Sequence, residues 1–154
     1  MILDASVAAK WFLPDEALDR EASLVRDAML DDRIRLAAPS ILWSEVAHAI
    51  VGAVRRKRFD HDEARSLSAL LASVRPVVEL AEVDPDDAVR GALTTGVGAY
   101  DAQYLILTAR LGQPLLTADR RLLERGRDHG YDVVWLGDVS VQDGVLIDTP
   151  GEYP

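Results

Sequence analysis

The chain has 154 residues and a formal net charge of −9 at pH 7, with 49% hydrophobic and 28% charged residues, which is typical of a single globular domain that needs no disulfide or metal for stability. The absence of cysteine excludes disulfides, thiol nucleophiles and cysteine-based zinc sites. No segment approaches the ~20 apolar residues of a membrane span, and the N-terminus lacks the residue order of a signal peptide, so we expect a cytoplasmic protein.

Short apolar segments alternate along the chain with longer segments in which apolar residues recur every three to four positions. The first pattern predicts buried strands and the second predicts helices. Predicted strands cover residues 1–3, 34–39, 77–83, 114–118 and 131–136. Predicted helices cover residues 6–13, 15–29, 40–56, 62–74, 101–111 and 120–129, and a further helix begins at Asp84 and ends at the glycine-containing "TTGVGAY". Asp15 and Asp84 are the predicted N-caps of their helices. This alternation predicts an α/β fold with a mostly parallel sheet.

The last residues differ in composition from the rest. Residues 137–154 are acidic and contain glycine and proline, so we predict a domain of residues 1–136 followed by a C-terminal tail. Asp143-Gly144 is a favourable hairpin turn. A small hairpin and a partly disordered tail are both consistent with this sequence.

Three aspartates lie where a predicted strand ends or a predicted helix begins. Asp4 follows the first strand, Asp119 follows "PLLTA", and Asp101 starts a helix after a glycine-rich loop. Each has an ordinary structural explanation, because an aspartate there can cap a helix or interact with its dipole. However, the carboxyl ends of parallel strands share one edge of the sheet, and ligand crevices form there at the switch point in strand order.

Glu45 is harder to explain structurally. It lies one turn into the predicted helix 40–56, four residues after Ile41 and four before Ala49, and therefore on an apolar row of that helix. A carboxylate directed toward the core is costly unless it has a partner. A glutamate at the edge of the core that leans toward solvent is the alternative.

Taken together, the four carboxylates predict a metal site. Acids crowded at one edge of the sheet repel one another and raise each other's pKa values, and a hard divalent cation removes that conflict. Mg²⁺ prefers oxygen ligands and usually keeps bound waters, whereas three scattered histidines and no cysteine suit zinc poorly. An acidic magnesium pocket suits phosphodiester hydrolysis, in which a metal activates water and no protein nucleophile is needed.

Four segments of the sequence resemble a known family: "MILDASVAAKWF", "APSILWSEVAHAI", "AYDAQYLILTARLGQPLLTADRRLL" and "YDVVWL". In order, spacing and context they resemble the PIN-domain family, in particular the VapC-type toxins of prokaryotic toxin–antitoxin pairs, over residues 1–136. The resemblance implies a three-layer α/β/α sandwich with a short, mostly parallel central sheet. It also implies a Mg²⁺- or Mn²⁺-dependent endoribonuclease that acts as the toxin of a type II toxin–antitoxin system.

The resemblance assigns roles to individual residues. The acids that match the family's catalytic, metal-binding set are Asp4, Glu45, Asp101 and Asp119. The two matching hydroxyl residues are Ser6 and Thr117, which would either orient a carboxylate or a bound water or simply cap helix starts. Some relatives carry a further aspartate at the position of Arg121, so we expect one firmly bound metal ion, with a second bound weakly or brought by the substrate.

A negatively charged nuclease still needs cations that contact RNA phosphates. The candidates are Lys10, Arg55, Arg56, Arg120 and Arg121. For the "RRKR" run at 55–58, a favourable interaction with the helix dipole is the alternative. Trp11 and Phe12 can stack on unpaired bases, but packing in the core is the favoured explanation.

The resemblance also implies protein partners. Toxins of this family typically form homodimers and are blocked by a VapB-like antitoxin whose C-terminal segment wraps around the toxin. We expect such an antitoxin to use a groove around the helices that carry Trp11 and Trp43. No membrane partner is expected.

Three alternatives make different demands on the sequence. A receiver-type signalling domain needs an adjacent acid pair after the first strand and a lysine after the last, and "YDVVWLGD" supplies no lysine. A phosphatase with an aspartyl nucleophile needs Asp-x-Asp where this chain has Asp-Ala-Ser. A catalytically weak PIN domain that binds RNA or protein stays open, and metal binding distinguishes it from a nuclease.

Overall fold

The computed structural model describes residues 1–13, 17–142 and 145–148. The helices are α1 (Ala5–Ala8), α2 (Asp19–Leu30), α3 (Leu42–Arg55), α4 (His61–Val74), α5 (Pro85–Thr95), α6 (Ala99–Leu111) and α7 (Arg120–Asp128). The strands are β1 (Ile2–Leu3), β2 (Ala37–Pro39), β3 (Glu79–Ala81), β4 (Leu115–Thr117), β5 (Val133–Trp135), β6 (Val139–Gln142) and β7 (Val145–Asp148). Short 3-10 helices cover Ala9–Trp11, Arg75–Val77 and Leu136–Asp138.

The central sheet has five parallel strands in the order β3-β2-β1-β4-β5. The chain therefore builds outward from β1 through β2 to β3, and then returns to the other side of β1 to add β4 and β5. Right-handed crossovers place α1–α4 on one face of such a sheet and α5–α7 on the other. The predicted α/β/α sandwich with a parallel central sheet is confirmed.

Burial explains why these strands are so short and so apolar. The residues of β1, β2, β4 and β5 are all buried, as expected for parallel strands that are covered by helices on both faces. Helix α6 packs across β1, β2 and β4 and buries Tyr104, Leu105 and Leu107. The core therefore lies around β1, and this packing holds the residue after β1, Asp4, in a fixed position.

Some element boundaries differ from the predictions. Helix α2 begins at Asp19 and follows Leu18, which has a left-handed backbone (φ 70°); the predicted cap, Asp15, lies outside the described residues. Helix α6 begins at Ala99, so Asp101 is its third residue and Gly98 is its N-cap. Strands β6 and β7 pair antiparallel beside α2, and the predicted Asp-Gly turn at 143–144 lies outside the described residues.

Gly126 marks a close approach between α7, β5 and α6. A Cβ atom at this position would lie 2.6 Å from Cγ2 of Val133 and 3.1 Å from Cδ2 of Leu105. We therefore expect Gly126→Ala to lower the free energy of unfolding by about 1–3 kcal/mol, the usual cost of overpacking, although alanine favours helix by about 1 kcal/mol. Gly52→Ala is the matched control, because only the flexible Arg56 guanidinium lies near, at 3.2 Å. Urea denaturation should show Gly52→Ala as neutral or stabilised, and equal losses in both variants would contradict the prediction.

Candidate active site

The acids identified from the sequence lie at the carboxyl edge of the central strands. Asp4 directly follows β1, and Asp119 lies two residues after β4. These strands are neighbours, with Leu3 opposite Leu116. The strand order reverses between β1 and β4, so this is the switch point at which ligand crevices form in open parallel sheets.

Asp4 is buried, with 5% of its surface exposed, and it does not cap a helix. It occupies the N-cap position of α1, but its side chain makes no capping hydrogen bond. Instead its Oδ2 accepts hydrogen bonds from the hydroxyls of Ser6 and of Thr117, the latter at 2.7 Å. No described residue donates a hydrogen bond to its Oδ1. The capping explanation is therefore wrong for Asp4, and one carboxylate oxygen is left for a ligand.

The two hydroxyls also tie β1 to β4. Ser6 Oγ accepts a hydrogen bond from the backbone N–H of Ala118 at 2.9 Å, and Thr117 Oγ1 accepts one from the N–H of Asp119 at 3.0 Å. Each hydroxyl thus receives one hydrogen bond from the backbone and donates one to Asp4. This network fixes both the rotation of the carboxylate and its position relative to the end of β4.

Burial raises the pKa of Asp4 to about 6. The hydrogen bonds from Ser6 and Thr117 oppose this shift, and the charges of Asp101 and Asp119 add to it. Because a buried carboxylate close to other carboxylates disfavours its charged form, the ionised Asp4 is held at a free-energy cost. A nearby cation would remove that cost.

Glu45 meets Tyr104 across the interface between α3 and α6. Tyr104 is fully buried, and its hydroxyl donates to Oε2 of Glu45 at 2.6 Å. Burial raises the pKa of Glu45 to about 6; the tyrosine opposes the shift, and Asp4 and Asp101 add to it. Burial and the charges of Asp4 and Glu45 also raise the pKa of Tyr104 far above its ordinary value, so its phenol stays protonated and acts as a donor.

Sequence reasoning missed Tyr104, although it predicted that Glu45 needs a partner. The sequence alone identifies no partner, and the structure supplies a neutral hydroxyl. One signal was present, because Tyr104 follows Asp101 by three residues and so shares a helix face with it.

Asp101 and Asp119 also lie within electrostatic reach of Asp4, and each uses one oxygen at a helix start. Asp101 Oδ2 accepts the N–H of Gly98 at 3.3 Å, and Asp119 Oδ1 accepts the N–H groups of Arg121 and Leu122 at 2.8 and 3.2 Å. The helix-start explanation is therefore correct for part of each side chain. It leaves the remaining oxygen of each carboxylate available.

Arg121 lies within electrostatic reach of Asp101. Burial raises the pKa of Asp101; the N–H of Gly98 opposes the shift, Asp119 adds to it, and the Arg121 guanidinium again opposes it. Nη2 of Arg121 donates to the carbonyl of Gly96 at 3.3 Å, which brings this side chain from α7 to the loop before α6. The guanidinium of Arg121 therefore already lies beside the acidic cluster, next to Asp101.

The donor chemistry fits a hard divalent cation, but the arrangement is open. In the described part of the chain, no three Asp, Glu or His side chains converge on one metal position. Still, the charges of Asp101 and Asp119 add to the raised pKa of Asp4, and those of Asp4 and Asp101 add to that of Glu45. The free Oδ1 of Asp4 has the carboxylate chemistry that Mg²⁺ and Mn²⁺ prefer. The carboxylates form a cluster rather than a closed coordination sphere.

A cleft of about 840 Å³ adjoins this cluster, with Ser6, Glu45, His48 and Tyr100 among its lining residues. His48 follows Glu45 by three residues and is exposed, as is Tyr100. Neither was predicted as a site residue. The cleft is large enough for a segment of an extended substrate beside the acids.

The other predicted contact residues lie in different surroundings. The Arg120 guanidinium carbon lies 3.9 Å from the centroid of the Trp135 ring, Lys10 is half-buried, and Arg55 and Arg56 are exposed at the end of α3. The favoured explanation for Trp11 and Phe12 is confirmed, because both are buried in the core.

The groove predicted around Trp11 and Trp43 is not formed by these two side chains themselves. They are only 6% and 5% exposed, and the indole N–H of Trp11 donates to the carbonyl of Ala22 at 2.9 Å. None of the described helices is long and apolar enough to cross a bilayer.

The chain is similar to known proteins in both sequence and structure. The chain matches the family model of the PIN domain over residues 1–128. It is 33% identical over 128 residues to Ribonuclease VapC3 from Pyrobaculum aerophilum, which covers 81% of this chain and 93% of that protein. The crystal structure of PAE2754 from Pyrobaculum aerophilum is similar with a TM-score of 0.64, at 22% identity and 88% coverage of both chains. FitAcB from Neisseria gonorrhoeae gives a TM-score of 0.58 at 15% identity, over 86% of this chain and 94% of that one.

Proposed function

The chain belongs to the PIN-domain family, and on that premise we propose that it is a metal-dependent endoribonuclease that hydrolyses RNA phosphodiester bonds as the toxin of a type II toxin–antitoxin system. The observation that carries this proposal is the buried Asp4 at the switch point, with one oxygen held by two hydroxyls and the other free beside three further acids. The name of the relative Ribonuclease VapC3 supports the activity.

The metal ligands in this proposal are Asp4, Glu45, Asp101 and Asp119. When bound there, Mg²⁺ or Mn²⁺ supplies an activated water and neutralises charge on the phosphate. Ser6 and Thr117 act through Asp4, because their hydroxyls hold Oδ2 and leave Oδ1 for a ligand. Such outer partners commonly set the affinity of a metal site.

Tyr104 and Arg121 complete the proposed site. The buried phenol of Tyr104 fixes Oε2 of Glu45 and leaves the other oxygen of that carboxylate for a ligand. Arg121 places a permanent positive charge next to Asp101, where a further aspartate occurs in some relatives. We therefore propose one firmly bound metal ion, with a second that binds weakly or arrives with the substrate.

The proposed partners are an RNA substrate, a VapB-like antitoxin and a second copy of this chain as homodimer partner. The family membership supports the antitoxin. The cleft beside the acids, lined by Ser6, Glu45 and His48, supports the RNA.

Removal of divalent metal is expected to abolish cleavage. Purified protein should cut a mixed pool of single-stranded RNA in a few millimolar Mg²⁺ or Mn²⁺, lose this activity in excess EDTA, and regain it when metal is returned. The reason is that, among the described residues, the hydroxyls of Ser6 and Thr117 beside the acids are already bonded to Asp4, so an ion-activated water is the expected nucleophile. Cleavage that persists in EDTA would contradict a metal-dependent mechanism.

One observation favours a second candidate, a catalytically weak PIN domain that binds RNA or protein. The described carboxylates do not converge on a metal position, as expected for a domain that has no metal. Isothermal titration with Mn²⁺ separates the two. Binding that Asp4→Asn removes supports the nuclease, and no binding at millimolar Mn²⁺ supports the binding module.

A further inference from the structure

We propose that the exposed face of α3 is an RNA track, along which Arg55 and Arg56 hold the phosphates of the strand that leaves the cleavage site. We call this face the α3 stripe and define it by Glu45, His48, Gly52, Arg55 and Arg56. The inference rests on the proposed nuclease function, because it takes the acidic cluster as the place where the strand is cut.

The spacing of these residues places them on one side of the helix. They follow one another at intervals of one, three and four residues, and side chains three and four positions apart are neighbours on a helix surface. His48, Arg55 and Arg56 are exposed, and His48 lines the same cleft as Ser6 and Glu45. With a rise of 1.5 Å per residue, Arg56 lies roughly 16 Å along the axis from Glu45. The α3 stripe thus extends from the acidic cluster to the arginines at the end of α3, a distance that a few nucleotides of RNA can span.

The contact with Gly52 shows that the Arg56 side chain extends toward the cleft. The Arg56 guanidinium lies against this glycine, with Nη1 3.2 Å from the position that a Cβ would take. Since Gly52 lies one turn closer to Glu45, the Arg56 side chain extends back along the helix, toward the acids. Helical side chains commonly extend toward the N-terminus of their helix, and here that direction brings the Arg56 guanidinium closer to the acids.

The two positive charges on the α3 stripe, those of Arg55 and Arg56, are not paired with acids among the described residues. Arg26, Arg65 and Arg90 pair with aspartates close in sequence, but no described residue forms an ion pair with Arg55 or Arg56. The chain has a net charge of −9, so acidic residues are plentiful, but none of the described ones pairs with Arg55 or Arg56. Phosphates are the natural partners for exposed guanidinium groups of this kind.

The test uses the double variant Arg55→Ala/Arg56→Ala, with Arg35→Ala as matched control. Arg35 is also exposed, but it precedes β2 and so lies at the opposite edge of the sheet from the acids. Binding of a fluorescein-labelled single-stranded RNA is measured by anisotropy in EDTA at several salt concentrations, so that no cleavage occurs. We expect a Kd about tenfold weaker for the double variant and a salt slope lower by about 1.4, since each lost single-strand phosphate contact removes about 0.7. Arg35→Ala should match the wild type.

Cleavage assays then distinguish the RNA track on α3 from the proposed nuclease function. In Mg²⁺ the double variant should show a higher KM for a long RNA at unchanged kcat, and normal cleavage of a short oligonucleotide that fills only the cleft. Unchanged affinity and salt slope in the double variant, or an equal loss in Arg35→Ala, would overturn the stripe. A wild type that cuts no RNA, while the double variant still binds more weakly than Arg35→Ala, would refute the nuclease and support the stripe.

Discussion

Asp4→Asn is expected to abolish metal-dependent RNA cleavage while the fold persists. Asparagine keeps the size of the side chain and an oxygen that can accept the hydroxyls of Ser6 and Thr117, but it removes the negative charge from the centre of the cluster. A metal contributes several kcal/mol of transition-state charge stabilisation, and each 1.36 kcal/mol changes the rate tenfold, so we expect kcat to fall by about a thousandfold or more.

The matched control for this variant is Asp132→Asn. Asp132 is exposed and precedes β5, so the same loss of charge occurs at the opposite edge of the sheet, and its cleavage rate should equal that of the wild type. Rates are measured on one labelled RNA at saturating Mg²⁺, and circular dichroism spectra verify the fold. Asp4→Asn protein that cuts RNA at the wild-type rate would refute the assignment of Asp4.

The order of strands and helices could be predicted because the physical signals are local. Asp84 caps α5 with Pro85 at its first position, and Gly96 ends that helix with a φ of 72°; each residue is the type that such a position favours. The apolar runs of β1, β4 and β5 fit strands buried on both faces. The start of α2 was less predictable, since its N-cap is Leu18, which makes no side-chain cap.

The location of the candidate site followed from topology, but its internal contacts did not. A parallel sheet brings Asp4 and Asp119 to one edge whatever the details of packing. Which hydrogen bonds Asp4 accepts depends instead on contacts between residues far apart in the chain, such as the 113-residue separation from Thr117. The link between Tyr104 and Glu45 spans 59 residues, and no periodicity within one helix encodes it.

The burial of Asp4 has a consequence for stability that opposes its proposed role. The pKa of Asp4 is about 6 in the folded chain and about 3.9 in an unfolded one, so between these values the folded state binds more protons. The stabilising contribution is therefore full below about pH 4 and is lost as pH rises through 6. At about 1.4 kcal/mol per pKa unit, metal-free protein should lose about 3 kcal/mol from this residue between pH 4 and pH 7.

Asp4→Asn isolates this contribution, because asparagine does not titrate. In EDTA, urea denaturation should give nearly equal stabilities for wild type and variant at pH 4, and the variant should be more stable by about 3 kcal/mol at pH 7. The pKa of Glu45, which is raised in part by the charge of Asp4, is raised less in the variant, so Glu45 adds to the difference in the same direction. Parallel stability curves from pH 4 to pH 7 would show that Asp4 carries no such cost.

Saturating Mg²⁺ should offset this difference at pH 7. An ion that binds only the folded state stabilises it by RT ln(1 + [L]/Kd), about 2.7 kcal/mol at a hundredfold excess over Kd, and only the wild type keeps the charge that draws the ion to the cluster. Asp132→Asn should follow the wild type at every pH and metal concentration. If Mg²⁺ stabilises Asp4→Asn as much as the wild type, the ion binds elsewhere. If it stabilises the wild type alone, the cost of ionising a buried aspartate is offset by the cation that the aspartate is positioned to hold.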